Sequence, residues 1–173
     1  MAFLNLVELG SLPIVLAWLG WCVRHDIRNR EVPNLITIIP MTIACLIGVL
    51  IDRWAVAFLV IVLVLLADIN SYRVGLGIVT TAIVALISPA QSLTCVSTLL
   101  VWLFWDRGAL GGADAKILIA LLLLWGDPSL LIWIALAGGL QGLAAWWRKR
   151  LEIPYTLAIL VGSMGFWFGK LFY

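Results

Sequence analysis

The chain has 173 residues, 64% hydrophobic and 12% charged, with a formal net charge of +2; a soluble domain has about 45–50% apolar and about 25% charged residues. Mean hydropathy is +1.14, and the apolar residues come in solid runs, which excludes the alternating pattern of a membrane β-barrel. These values predict an all-α, polytopic integral membrane helical bundle with about eight apolar segments, six to eight of them spans, forming a single transmembrane domain over 1–173. No length is left for a separate soluble domain.

The first apolar run covers 9–23. Glu8 precedes it, and Arg24, Arg28 and Arg30 follow it. A cleavable signal has its positive charges first and a small-residue cleavage site after. The reverse order here predicts a retained helix whose C-terminal end faces the cytoplasm. Pro33 biases Val32 to an extended conformation and closes this first element. The second run, 35–51, contains Pro40, a tolerated kink in a membrane helix. Asp52-Arg53-Trp54 predicts a tight turn into 55–67. The loop 68–73 leads to 74–88, and the uncharged turn 89–92 leads to 93–105. Asp106-Arg107 and a Gly-rich stretch precede 115–125. Gly126-Asp-Pro-Ser129 turns the chain into 130–147, which ends in Arg148-Lys149-Arg150. The last run is 156–172.

Alternating these runs puts loops 24–34, 68–73, 106–116 and 148–154 on one side. They carry nine of the eleven Lys and Arg residues, and Arg53 and Lys170 fall opposite. The asymmetry predicts eight spans with both termini outside. Asp26, Asp68, Asp106 and Asp114 are then cytoplasmic. The Arg148–Arg150 cluster reads as a topology determinant that would also attract anionic lipid.

Cys22, Cys45 and Cys95 form no C-x-x-C pair and read as buried small hydrophobes, not a zinc site. His25 reads as a solvated interfacial residue. The ten tryptophans read as interfacial anchors. Gly138 and Gly142 have the small-residue spacing of closely packed helices.

The segment 108–126 organises the chain. Gly111, Gly112 and Ala113 lead to Asp114 and then into nine unbroken apolar residues from Ile117. An acid at a helix start is favoured by the free N–H groups and the dipole. Asp is also a preferred N-cap, so a purely structural role stands beside a chemical one. Asp26 adds a second acid at a span end on the same predicted face. Two close carboxylates cannot both ionise readily, and such a pair titrates as a unit. The charged member activates water while the neutral one protonates the substrate, which is amide hydrolysis without metal or cofactor.

Asp26-Ile-Arg-Asn-Arg-Glu-Val-Pro-Asn34, Gly111-Gly-Ala-Asp-Ala-Lys116 and Ile153-Pro-Tyr-Thr-Leu-Ala-Ile159 follow one another in the chain. In that order they resemble the signature of the type IV prepilin peptidase family, intramembrane aspartyl proteases of the GxGD kind related to archaeal preflagellin peptidases. The resemblance runs from Asp26 to about Gly162. It implies Asp26 and Asp114 as the catalytic pair, with Pro33, Asn34, Gly111, Gly112, Ala113 and Lys116 around the site. It implies a prokaryotic plasma membrane protein whose active site faces the cytoplasm. The partners it implies are membrane lipid and prepilin-like or preflagellin-like precursors, not nucleic acid. A short basic leader would be cut from those precursors.

Three departures accompany it. Ala113 stands where the family pattern has glycine, and alanine resists positive φ. Asp114 follows Asp26 by 88 positions with four apolar runs between, where family members usually carry two. The cysteine-bearing cytoplasmic segment of bifunctional members is missing, so no N-methyltransferase activity is expected. Asp68 is the reserve candidate should Asp26 prove dispensable, and Lys116 reads as an interfacial anchor. The alternative to an enzyme is an inactive membrane assembly or scaffold subunit that binds pilin-like helices. A transporter fits less well, because the acids sit at span ends and not at the midplane.

Overall fold

A computed structural model describes residues 2–67, 72–147 and 154–172. Among these residues the fold is all-α, with no strand. The eight α-helices are α1 (Ala2–Asn29), α2 (Asn34–Leu50), α3 (Trp54–Leu66), α4 (Arg73–Ile87), α5 (Ser92–Asp106), α6 (Gly112–Trp125), α7 (Ser129–Trp147) and α8 (Tyr155–Leu171). The eight apolar runs become these eight helices, and the turn 89–92 contains a short 3-10 turn, Pro89–Gln91. Asp68 and Arg148-Lys149-Arg150 lie outside the described residues.

Two helices are longer than their apolar runs. α1 continues past Val23 to Asn29, because nothing in Arg24-His-Asp-Ile-Arg-Asn breaks a helix. It stops where Arg30 turns to φ 56, three residues before Pro33. Residues 24–29 are therefore helix, not loop. α6 begins at Gly112 and not at Ala115. Asp106, expected in a loop, is the last residue of α5.

The chain divides into two compact units, one comprising Met1–Pro33 with Ser129–Tyr173 and the other Asn34–Pro128. In the second unit α2 packs against α3 and α6, α3 against α4 and α5, and α5 against α4 and α6. Its side-chain bonds show which helix ends meet. At one end, Arg73 Nε pairs with Asp106 Oδ1 at 2.8 Å, and Arg73 also donates to the Ala67 carbonyl at 3.3 Å. Lys116 Nζ donates to Asn34 Oδ1 at 2.8 Å. At the other end, Gln91 Nε2 donates to the Asp52 carbonyl at 2.7 Å. Thr94 Oγ1 donates to the Gly126 carbonyl at 2.8 Å. Arg53 donates to the carbonyls of Leu123, at 3.1 Å, and Leu124. These bonds make the five helices an up-and-down array, with the starts of α2, α4 and α6 and the ends of α3 and α5 together, as the alternation of runs predicts.

α6 is apolar all round and is buried all round, as such a helix must be. Every residue from Ile117 to Trp125 is buried. Its last carbonyls have no partner within the helix. Arg53, Thr94 and the left-handed Gly126 (φ 62) supply that termination.

In the first unit α8 packs against α7 and α1. The close approach is made by α8 glycines. A methyl on Gly162 would stand 2.5 Å from Ile134 Cα, and methyls on Gly165 and Gly169 would stand 3.0 Å from the Trp133 ring. Gly138 would meet only ordinary contacts and Gly142 none. The small-residue face of this helix pair is thus 162–169 on α8, not 138–142 on α7. Trp102, Trp125 and Trp167 also depart from the surface-anchor reading, being buried core residues. Cys22 and Cys95 are fully buried and Cys45 half-buried, all as free thiols.

Candidate functional site

Asp26 lies in the last turn of α1, half-buried. Its carbonyl accepts the Arg30 N–H at 2.9 Å, which closes the helix. Its side chain is held from α8, where Thr156 Oγ1 donates to Asp26 Oδ2 at 2.5 Å. Thr156 is 2% exposed, so this hydroxyl has no water to compete for it. A hydroxyl on Oδ2 fixes the carboxylate plane and leaves Oδ1 for another partner. Thr156 belongs to the third motif, 153–159, yet sequence reading did not single it out. The available signal was a hydroxyl at the second position of a helix, within the motif that follows the predicted loop 148–154.

Asp114 lies in the first turn of α6. The N-cap is Gly111, with φ −64 and ψ 145, and Asp114 is the third helical residue. This corrects the cap assignment. The N–H of Ala115 donates to the Gly111 carbonyl at 3.0 Å. The acid keeps the favourable dipole position without being the cap. Its carboxylate folds back over Gly111, since a methyl there would stand 2.9 Å from Asp114 Oδ2. A side chain at 111 would push the Asp114 carboxylate aside, whereas φ at 111 is one that any residue adopts. Ala113 lies within the helix, outside the positive-φ residues of the chain. The departure from glycine at that position carries no backbone strain.

Gly112 packs near the α5 end, where an added methyl would stand 3.2 Å from Trp105 Nε1. Lys116, one turn along α6, is tied to Asn34 at the start of α2. Thr37 Oγ1 donates to the Asn34 carbonyl at 3.0 Å and reinforces that helix start. Lys116 therefore acts as a cross-helix tether. Pro33 is exposed in the non-helical stretch 31–33 between α1 and α2.

The three motif segments are thus joined in two places. The first and third meet through Asp26 and Thr156, in the unit of α1, α7 and α8. The first and second meet through Asn34 and Lys116, in the unit of α2 to α6. Asp106, expected in a loop, is engaged by Arg73, and the reserve candidate Asp68 lies outside the described residues. Comparison of the chain with protein-family models, with curated proteins and with solved structures finds no match.

Proposed function

We propose that the chain is a multi-pass aspartyl endopeptidase of a prokaryotic plasma membrane. In this reading it removes a short basic leader from prepilin-like or preflagellin-like precursors, using Asp26 and Asp114. The single observation that carries the catalytic reading is the Thr156 to Asp26 hydrogen bond. It joins the first and third motifs at an acid, and a purely topological role for either motif does not call for it.

The membrane part rests on what the helices expose. Ile14 (72%), Leu50 (80%), Leu86 (81%) and Leu140 (70%) are largely bare, and exposed apolar faces are a mark of membrane or protein contact surfaces. α7 has 19 residues and is long and apolar enough to cross a membrane. Its rise of about 28 Å matches a hydrocarbon core of about 30 Å. The shorter apolar helices α2, α3 and α4 would need local thinning of the bilayer.

The chemistry follows from two carboxyl groups acting together. When they share a site, one holds a proton. The ionised carboxylate takes a proton from water as the water oxygen attacks the scissile carbonyl carbon. The protonated partner gives its proton to the carbonyl oxygen. The resulting diol collapses, the C–N bond breaks, and a proton passes to the leaving amine. The products are a carboxylic acid and a new N-terminus, with one water consumed and both carboxyls restored. Acids at the edges of apolar runs suit a substrate whose basic leader stays in water while its apolar helix lies in lipid.

The test is co-expression with a panel of prepilin-like precursors, followed by mass spectrometry of the precursor N-terminus. Loss of the leader only in the presence of this chain supports the reading, and the same mass shows no added methyl. Intact precursors throughout the panel, co-purifying with the chain, would replace the enzyme with a binding subunit.

A further inference from the structure

The last turns of α1 carry two different faces. Cys22 is fully buried, and Asp26, one turn on, is bonded to Thr156. Trp21, Arg24, His25 and Arg28 recur at the three- and four-residue spacing of a second face. With Gly20 and Asn29 they line an open cleft of about 860 Å³. The Trp21 ring stacks on His25, centroids 6.3 Å apart and planes 20° from parallel. Asn29 Nδ2 lies 3.5 Å from His25 Nδ1, which ties the ring to the next turn of the same face. Among the described residues no carboxylate pairs with Arg24 or Arg28. Among the described residues the cleft therefore presents two guanidinium groups and an imidazole, and no acid.

We propose that this cleft binds the phosphodiester of an anionic phospholipid headgroup. Guanidinium forks match phosphate oxygens in pairs. Earlier on α1, Leu9 and Ile14 are exposed, so an apolar helix surface gives way to a cationic one here. Trp21, 60% exposed, stands at the change, the position tryptophan takes at a lipid headgroup. The same charges repel a basic leader, so a substrate leader is not the occupant. The proposal rests on the membrane part of the preceding reading and is independent of the peptidase activity.

The experiment uses the full chain in a neutral detergent. The probe is dihexanoyl phosphatidylglycerol below its micellar concentration, compared with dihexanoyl phosphatidylcholine and with inorganic phosphate. Phosphatidylglycerol binds the wild type more tightly than either comparison. An Arg24→Gln, Arg28→Gln double variant with an unchanged melting profile binds it roughly thirtyfold more weakly. Equal affinity in the wild type and the double variant overturns the site. Equal binding of phosphatidylcholine does the same. Inorganic phosphate binding as tightly as the lipid, or an acidic peptide displacing the lipid at equal concentration, overturns the headgroup assignment. No bilayer is needed, so failure here is separate from failure of the membrane reading, which carbonate-resistant membrane retention measures.

Discussion

Thr156 and Gly111 are the two residues on which the geometry of the acids turns. Thr156→Val keeps the shape of the side chain and removes the donor to Asp26. A hydrogen bond to a charged group contributes about 1.5–3 kcal/mol. If that orientation is used in the transition state, cleavage falls roughly tenfold to a hundredfold, mostly in kcat, and Thr156→Ser restores it. Steady-state cleavage of a precursor peptide checks both. Gly111→Ala places a methyl against the Asp114 carboxylate while φ at 111 stays ordinary. It is expected to lower cleavage and leave the melting temperature nearly unchanged, read by the same assay beside a thermal scan. Asp26 and Asp114 were both legible in the sequence, because an acid at the edge of an apolar run stands out. The partner was not. A threonine at a helix start looks like any other until the topology brings α8 to α1.

At the scale of elements, helix packing separates what periodicity can and cannot tell. The eight runs predict the eight helices because seven of them end at a charge, a proline or a glycine-containing turn. Which glycines let two helices touch depends on the rotation of each helix, and a run of apolar residues does not encode that. Gly138 and Gly142 carried the spacing, but Gly162 carries the contact. Gly162→Ala forces its methyl into the backbone of Ile134, where no side chain can move aside. It is expected to cost about 1–3 kcal/mol, seen as a lower melting temperature in detergent, whereas Gly142→Ala is expected to be neutral. The end of α6 gives a second case. Arg53 donates to the carbonyls of Leu123 and Leu124, and Arg53→Leu removes both bonds from a buried helix end. A loss of about 1.5–3 kcal/mol is expected, and Gly126→Ala, which pairs a positive φ with a collision against the same guanidinium, moves stability in the same direction. Denaturant titration of both variants checks this.

At the scale of the molecule, the alternation of apolar runs makes a definite assignment of charge. Nine of the eleven basic residues fall in the loops that alternation assigns to one side. Within the unit of α2 to α6, the Arg73–Asp106 pair and the Lys116–Asn34 bond occupy one end, and Arg53 and Gln91 the other. The all-α fold was legible because solid apolar runs leave few alternatives. The burial of Trp102, Trp125 and Trp167 was not, because tryptophan serves equally at an interface and in a core.

The proposed peptidase needs Asp26 and Asp114 to act as one catalytic unit, and a paired mutational comparison tests that. Cleavage of a precursor would be measured for the wild type, Asp26→Asn, Asp114→Asn and the double variant, each confirmed to be membrane-inserted. Residues that act as a unit lose their joint effect once, not twice. The prediction is that each single variant abolishes leader removal and that the double variant is no worse than either. Substantial cleavage in either single variant, or losses that multiply in the double, would contradict the claim.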